Sequence, residues 1–171
     1  MSPSAVANVW PVAAAAPMID DDLGRFIQGP VSAFLGTADA VAVPDCTRLA
    51  GVAALDGRRL RVLIAAEART AQANARTGAR ASVLVTDITT YRSVQWKGRV
   101  VSAGEERTPG DLALLHRHVD AFRRGSLEVG IPPDLVWVMF PVEVVPLVVE
   151  VDAVYNQTPG PGAGRRITSG A

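Results

Sequence analysis

The sequence predicts a mainly β fold with helices (α+β): six or seven antiparallel strands closed into a small barrel, with about three helices covering it. Three observations carry that prediction. Apolar and polar residues alternate with a period of two along several segments, most clearly in ASVLVTDITTYRSVQWKGRVVSAG from Ala81 to Gly104. Turn signals such as Asp56-Gly57 join neighbouring segments as hairpins. No GxGxxG or GxxxxGK[ST] loop is present, so Rossmann and Walker readings have no support. At 171 residues and 49% hydrophobic, the chain has enough apolar material for one domain with a proper core, and it carries no repeat.

Residues 1–18 are Ala- and Pro-rich without periodicity and read as a loose arm. Asp20, Asp21 and Asp22 suit a helix N-terminus, Leu23, Phe26 and Ile27 follow at helical spacing, and Gly29-Pro30 stops the turn. Three strands are expected next, over Val31 to Thr37, Thr47 to Leu55 and Arg59 to Ala65. Ala68 to Thr77 favours helix and Gly78 closes it. The long central hairpin follows, one face apolar through Val94, Trp96 and Val100, the other polar through Ser93, Gln95, Lys97 and Arg99. Thr108-Pro109-Gly110-Asp111 then opens a helix whose buried stripe is expected to be Leu112, Leu115, Val119 and Phe122, ending at Gly125. Leu127 to Leu135 reads as a loop. Trp137 to Phe140 and Val144 to Tyr155 read as closing strands separated by Pro141 and bent at Pro146, and the domain is expected to span 19–156. A Gly/Pro-rich tail, 157–171, ends the fold.

Seventeen basic and seventeen acidic residues cancel, so no global field argues for nucleic acid or a membrane surface. The apolar run from Val136 to Val149 is broken by Pro141, Glu143 and Pro146, which argues against a span. The single Cys46 and a leader without a positive n-region suit a reducing cytoplasm. Cys46 has no nearby His to activate it and reads as small packing. His116 and His118 stand two apart, about 200° around a helix, which disfavours a shared metal and suits solvated positions. The three aspartates are explained by the helix dipole, so no metal is expected.

The basic residues offer more. Arg48 begins a strand, Arg69 and Thr70 open a helix, and Arg92, Gln95 and Lys97 line the central strand, a set suited to a phosphorylated flat ligand if barrel closure gathers it. The same residues also fit solvent-facing strand charges. The order of VSAFLGT, TRLAGVAALDGRRLRVLIA, ARTAQANARTGARASVLV and TTYRSVQWKGRVV resembles the split β-barrel of the pyridoxamine 5'-phosphate oxidase-like superfamily over roughly Asp20 to Tyr155. The TxYRxxQxKG string and the QTPGPGAG tail resemble members described as flavin-binding. The resemblance implies a six-stranded split barrel, a homodimer and FMN in two interfacial clefts. It places Arg48 and Ala50 on the flavin-contacting strand, Arg69 and Thr70 at the phosphate-binding pair, and Ser93 or Gln95 near the flavin-contacting glutamine, with Arg92 and Lys97 beside it. Ala53 stands where the oxidase has lysine, and Leu63 and Ile64 stand where it has a Tyr-Thr pair, with Ile64 taken as a cofactor-contacting position. FMN binding is thereby implied without pyridoxamine phosphate oxidation. Flavin reductase or nitroreductase-like hydride transfer from a nicotinamide donor is the expected activity, with no dedicated catalytic residue assigned. An F420-dependent reductase, a flavin or haem binder without turnover, and a cofactor-free interaction module stand as alternatives. The apolar segment from Val144 to Val151 is expected to help form the dimer interface.

Overall fold

A computed structural model describes residues 18–76, 79–104 and 106–167. The expected N-terminal arm up to residue 17, the expected helix end at Thr77-Gly78 and the last four residues of the tail lie outside the described residues. In chain order the elements are α1 (Asp21–Ile27), β1 (Val31–Ala38), β2 (Pro44–Ala54), β3 (Arg59–Ala65), α2 (Arg69–Arg76), β4 (Arg80–Asp87), β5 (Ser93–Ala103), α3 (Pro109–Glu128), α4 (Pro133–Val136), β6 (Val144–Asn156) and β7 (Arg166–Ile167). The strands run in the order β3-β2-β1-β4-β5-β6-β7, and β3 also pairs with β6, so the first six close into an antiparallel barrel. Every strand pair among the described residues is antiparallel, as the hairpin signals predict.

Strand alternation builds the interior. Val31, Ala33 and Leu35 of β1, Val83 and Val85 of β4, and Val94 and Trp96 of β5 point inward and are buried, with Trp96 the largest fully buried side chain. Three hairpin turns are held by aspartates: Asp39 Oδ1 accepts from the backbone N–H groups of Val41 and Val43 at 3.0 and 2.8 Å, Asp56 Oδ1 from those of Arg58 and Arg59, both at 2.8 Å, and Asp87 Oδ1 from those of Thr89 and Thr90 at 2.8 and 3.0 Å. The mouths of the barrel are plugged by helices. Leu23, Phe26 and Ile27 of α1 and Ala71 and Ala75 of α2 join the same core, and Asn74 Nδ2 donates to Thr37 Oγ1 at 3.0 Å, which fixes α2 at the Thr37 end of β1.

The longest helix lies outside the barrel. α3 starts with a complete capping box between Thr108 and Asp111, and Arg61 of β3 grips the same carboxylate through Nε at 2.7 Å and Nη2 at 2.9 Å. Its inner face, with Leu114, Leu115, Val119 and Phe122, covers Ala50 and Leu63 on the outer side of β2 and β3 and forms a second core with Val136, Phe140 and Val144. Leu112, expected in the stripe, is only partly buried, and Leu114 takes that place.

Four expectations are corrected. α3 continues to Glu128 rather than ending at Gly125, because Gly125 faces Pro30 so closely that an added Cβ would sit 2.4 Å from the Pro30 Cβ. Trp137 to Phe140 is no strand: Trp137–Met139 forms a 3₁₀ turn after α4, with Val136 and Phe140 buried at helical spacing while Trp137 and Val138 stay exposed. Cys46 is exposed rather than packed. The Val144 to Val151 segment is largely taken up within the chain, Val144, Leu147, Val148, Val149 and Val151 being buried, so only Val145 and Glu150 stay partly exposed there. Pro146 lies beyond the last β5 partner, Leu147, where the ladder joins β6 to β3 alone, so a missing N–H is tolerated. The Gly/Pro-rich tail turns back, and Arg166–Ile167 pairs with Val154 and Tyr155. Among the described residues no helix is long and apolar enough to cross a membrane.

Candidate functional site

Directly paired residues of an antiparallel ladder share a face. Arg48 pairs with Phe34, Phe34 with Leu84, Leu84 with Gln95 and Gln95 with Tyr155, so these five form one row across β2, β1, β4, β5 and β6. All five are half-buried, whereas Leu35, Val83, Val94 and Trp96 on the opposite face are buried, so the row lies on the outside of the barrel. A parallel row on one side holds Ser32, Thr86 and Ser93; another on the other side holds Cys46, Gly36, Ser82 and Lys97, and Gly36 leaves a trough there because it has no side chain.

Arg48 ends the row beneath α3. Its guanidinium carbon lies 5.8 Å from the Phe34 ring centroid, 5.1 Å from Phe122 and 5.2 Å from Phe140, a cation held by aromatic faces. Its Nη2 donates to Ser32 Oγ at 3.1 Å, its buried Nε has no partner, and among the described residues no carboxylate pairs with it. Burial lowers its pKa, though a guanidinium stays charged. His118 of α3 stands beside it, edge-on to Phe140 at 5.7 Å and 5% exposed. Burial first, and then the Arg48 charge, push the His118 pKa down to about 4, so its imidazole is neutral at neutral pH, and its Nε2 lacks a partner. This overturns the expectation that both histidines are solvated; only His116 is exposed.

At the far end of the row a set of amides and hydroxyls is locked together. Gln95 Nε2 donates to Ser82 Oγ at 2.7 Å, Gln157 Nε2 donates to Gln95 Oε1 at 3.0 Å, and the hydroxyls of Ser93 and Thr86 meet at 2.9 Å. Lys97 Nζ lies 4.8 Å over the Tyr155 ring. A separate cleft of about 650 Å³ opens between the end of α1, the end of β2 and α3, floored by Val52 and Leu114, lined also by His118 and edged by Arg117, Asp120 and Arg124.

Of the residues singled out in the sequence, barrel closure thus brings Arg48, Ser93, Gln95 and Lys97 onto one face. Ala50 shares that face but is fully buried under α3. Ile64 points into the barrel interior, where a bound molecule cannot touch its side chain. Arg92 is spent at the α1 end of the barrel, where it pairs with Asp22 at 2.5 Å and covers the Phe26 ring at 4.6 Å. Arg69 and Thr70 are exposed on the first turn of α2, at the opposite mouth. From the sequence Phe34 and Leu84 have no role, although the alternation in VSAFLGT and ASVLVTD puts them outward; His118 reads as solvated, and Gln157 is met only as the first residue of the QTPGPGAG tail.

No family model matches the sequence, and no curated protein matches it. Solved structures do. HupZ of Group A Streptococcus superposes with a TM-score of 0.54 at 15% identity, covering 86% of this chain and 100% of that one. A candidate pyridoxamine 5'-phosphate oxidase from Lactobacillus delbrueckii superposes with a TM-score of 0.50 at 14% identity, covering 80% of this chain and 92% of that one. The chain shares the antiparallel split-barrel fold of these structures. In this split barrel the row from Arg48 to Tyr155 is the outer sheet face left uncovered beside α3.

Proposed function

We propose that the chain binds FMN on the outer sheet face and acts as a flavin-dependent oxidoreductase, working as a homodimer and accepting electrons from a nicotinamide donor. The observation that supports this most is Arg48, a half-buried cation with an unpartnered Nε and no carboxylate, at one end of a row whose other end carries Gln95 and Ser93. A permanent charge under aromatic cover invites an anion, and Phe34 and Leu84 give a flat ring an apolar floor. The ligand's negative charge is its phosphate, which Arg48, Arg69 and the N–H groups opening α2 would meet together, and Gln95 would meet the ring edge. Bound there, FMN would supply hydride chemistry. The chain's part is to orient the ring, keep its anion paired and hold a neutral imidazole at His118, away from acid-base work. F420, with a similar ring edge, is the alternative occupant.

Fluorescence titration of FMN and riboflavin tests the reading. Losing one charge-assisted contact costs about 1.5 to 3 kcal/mol, so Arg69→Ala is expected to weaken FMN roughly tenfold to a hundredfold and leave riboflavin unchanged. Equal FMN affinities would remove Arg69 from the site, and wild-type protein that binds no FMN would sink the flavin reading. A second reading, a cofactor-free binder of small anions, is favoured by the cleft edged by Arg117 and Arg124, neither of which pairs with a carboxylate among the described residues. A colourless protein that binds inorganic phosphate or a small dicarboxylate, weakened by Arg117→Ala, would support it.

A further inference from the structure

Helix α3 carries two stripes that face the rest of the chain. Leu115, Val119 and Phe122 pack on the sheet, as the apolar stripe of an amphipathic helix does. Leu114, Arg117, His118, Ala121 and Arg124 recur at the same three- and four-residue spacing one step round the helix, and this second stripe looks across the cleft at α1 and the end of β2. A stripe turned towards its own chain is ordinarily apolar, yet this one holds two guanidinium groups and an imidazole. Arg117 and Arg124 stand exposed at the cleft's edge with Asp120 between them, and none of the three forms an ion pair among the described residues, so the edge keeps one positive charge in excess. The floor is apolar through Ile27, Val52 and Leu114, and His118 is set into the wall, 5% exposed, with its Nε2 unpartnered.

Size, charge and the orphaned nitrogen together select an occupant. The cleft holds about 650 Å³ and continues past Gln28 and Arg124 into a hollow of about 250 Å³ beside Pro30 and Gly125. Pockets of roughly 300 to 1,000 Å³ enclose organic ligands of drug size, so an inorganic ion would leave most of this floor in water. One excess positive charge suits a single carboxylate better than a dianion. A buried nitrogen without a partner is costly, and His118 can donate or accept through Nε2 according to its tautomer; a hydroxyl satisfies either.

We infer that the cleft binds an organic monocarboxylate about the size of two fused rings, its carboxylate held by Arg117 and Arg124 and a hydroxyl at its inner end bonded to His118 Nε2. This rests on the second reading above, that the cleft takes an anion, and names the class of that anion. Calorimetric titration of the full chain with four probes decides it. 6-Hydroxy-2-naphthoate has all three features, 2-naphthoate lacks the hydroxyl, 2-naphthol lacks the carboxylate and inorganic phosphate lacks the apolar body. Wild type is expected to bind the hydroxynaphthoate about tenfold more tightly than naphthoate, as for one hydrogen bond, and to bind phosphate most weakly. His118→Phe is expected to bind the two naphthoates alike, and Arg117→Ala combined with Arg124→Ala to weaken both about tenfold while leaving 2-naphthol unchanged. Equal affinity of wild type for the two naphthoates overturns the inference. Competitive displacement of the hydroxynaphthoate by FMN overturns it as well, since the cleft would then belong to the flavin's own site. Phosphate bound in preference to both naphthoates overturns it and leaves the second reading standing, whereas wild type that binds none of the anions removes both. The deciding comparisons are between ligands on wild type, so they hold even where thermal melts show that a variant is unfolded.

Discussion

Burial of His118 ties the stability of the protein to pH. Its folded pKa is about 4 against an ordinary 6.5, so between those values the unfolded chain takes up a proton that the folded chain refuses. Stability is therefore complete above about pH 6.5 and falls as pH drops towards 4, by about 3 kcal/mol at 1.36 kcal/mol per pKa unit. Asp111 acts lower on the scale. Arg61, bonded to it through two nitrogens, and the Thr108 backbone and hydroxyl hold its pKa at about 2 against 3.8, so its contribution, about 2 kcal/mol, persists above pH 3.8 and is lost on the way down to 2. Denaturant midpoints measured from pH 7 to pH 4 should decline for wild type and stay nearly level for His118→Phe, which keeps the ring packing on Phe140 and removes the titration. A variant as acid-sensitive as wild type would show that another group is responsible. At neutral pH, Asp111→Ala is expected to cost about 3 kcal/mol, because it strips the cap from α3 and leaves Arg61 without this carboxylate.

The helix α3 is the element on which the two cores and the Arg48 environment all depend. Phe122 is 2% exposed and forms one wall of the Arg48 enclosure, so Phe122→Ala is expected to cost about 3 kcal/mol in urea unfolding and also to loosen any ligand that Arg48 holds. Gly125→Ala is expected to cost about 1 to 3 kcal/mol, since its Cβ would collide with Pro30 at 2.4 Å; an unchanged midpoint would mean that α3 shifts freely. These positions also show where sequence reasoning stops. Period-two alternation made β1 to β5 legible, because one face of each strand had to be buried. The spacing of Leu115, His118, Val119 and Phe122 is the ordinary i, i+3, i+4, i+7 stripe, so His118 could have been placed inside; its polarity argued the other way. Gly125 reads as a helix stop, and only the fold shows that it is there for Pro30. Trp137 to Phe140 reads as strand because the run is apolar, yet half of it faces solvent. The Gln95–Gln157 contact joins residues sixty-two apart and no local signal predicts it. Arg92 was legible as a cation but not as Asp22's partner.

For the molecule as a whole, association follows from the outer face. Val144 to Val151 is largely used up internally, and the half-buried row with Phe34 and Leu84 is an apolar face that a second subunit could cover. Light scattering at micromolar concentration is expected to return a dimer, and Leu84→Lys on that row to shift it towards monomer. A wild-type monomer would remove any cleft shared between subunits. Closure of the barrel has a further consequence. Leu60 of β3 and Val100 of β5 both pair with Val149, so a single late strand completes two ladders at once. Barrels built from such distant pairings fold in about milliseconds to seconds. While the chain is being synthesised, β3 and β5 emerge with their outer edges bare and wait for β6 to follow. Ribosome-stalled nascent chains that stop before Val144 are expected to be cut rapidly by protease and captured by chaperones, whereas chains released past Asn156 resist both.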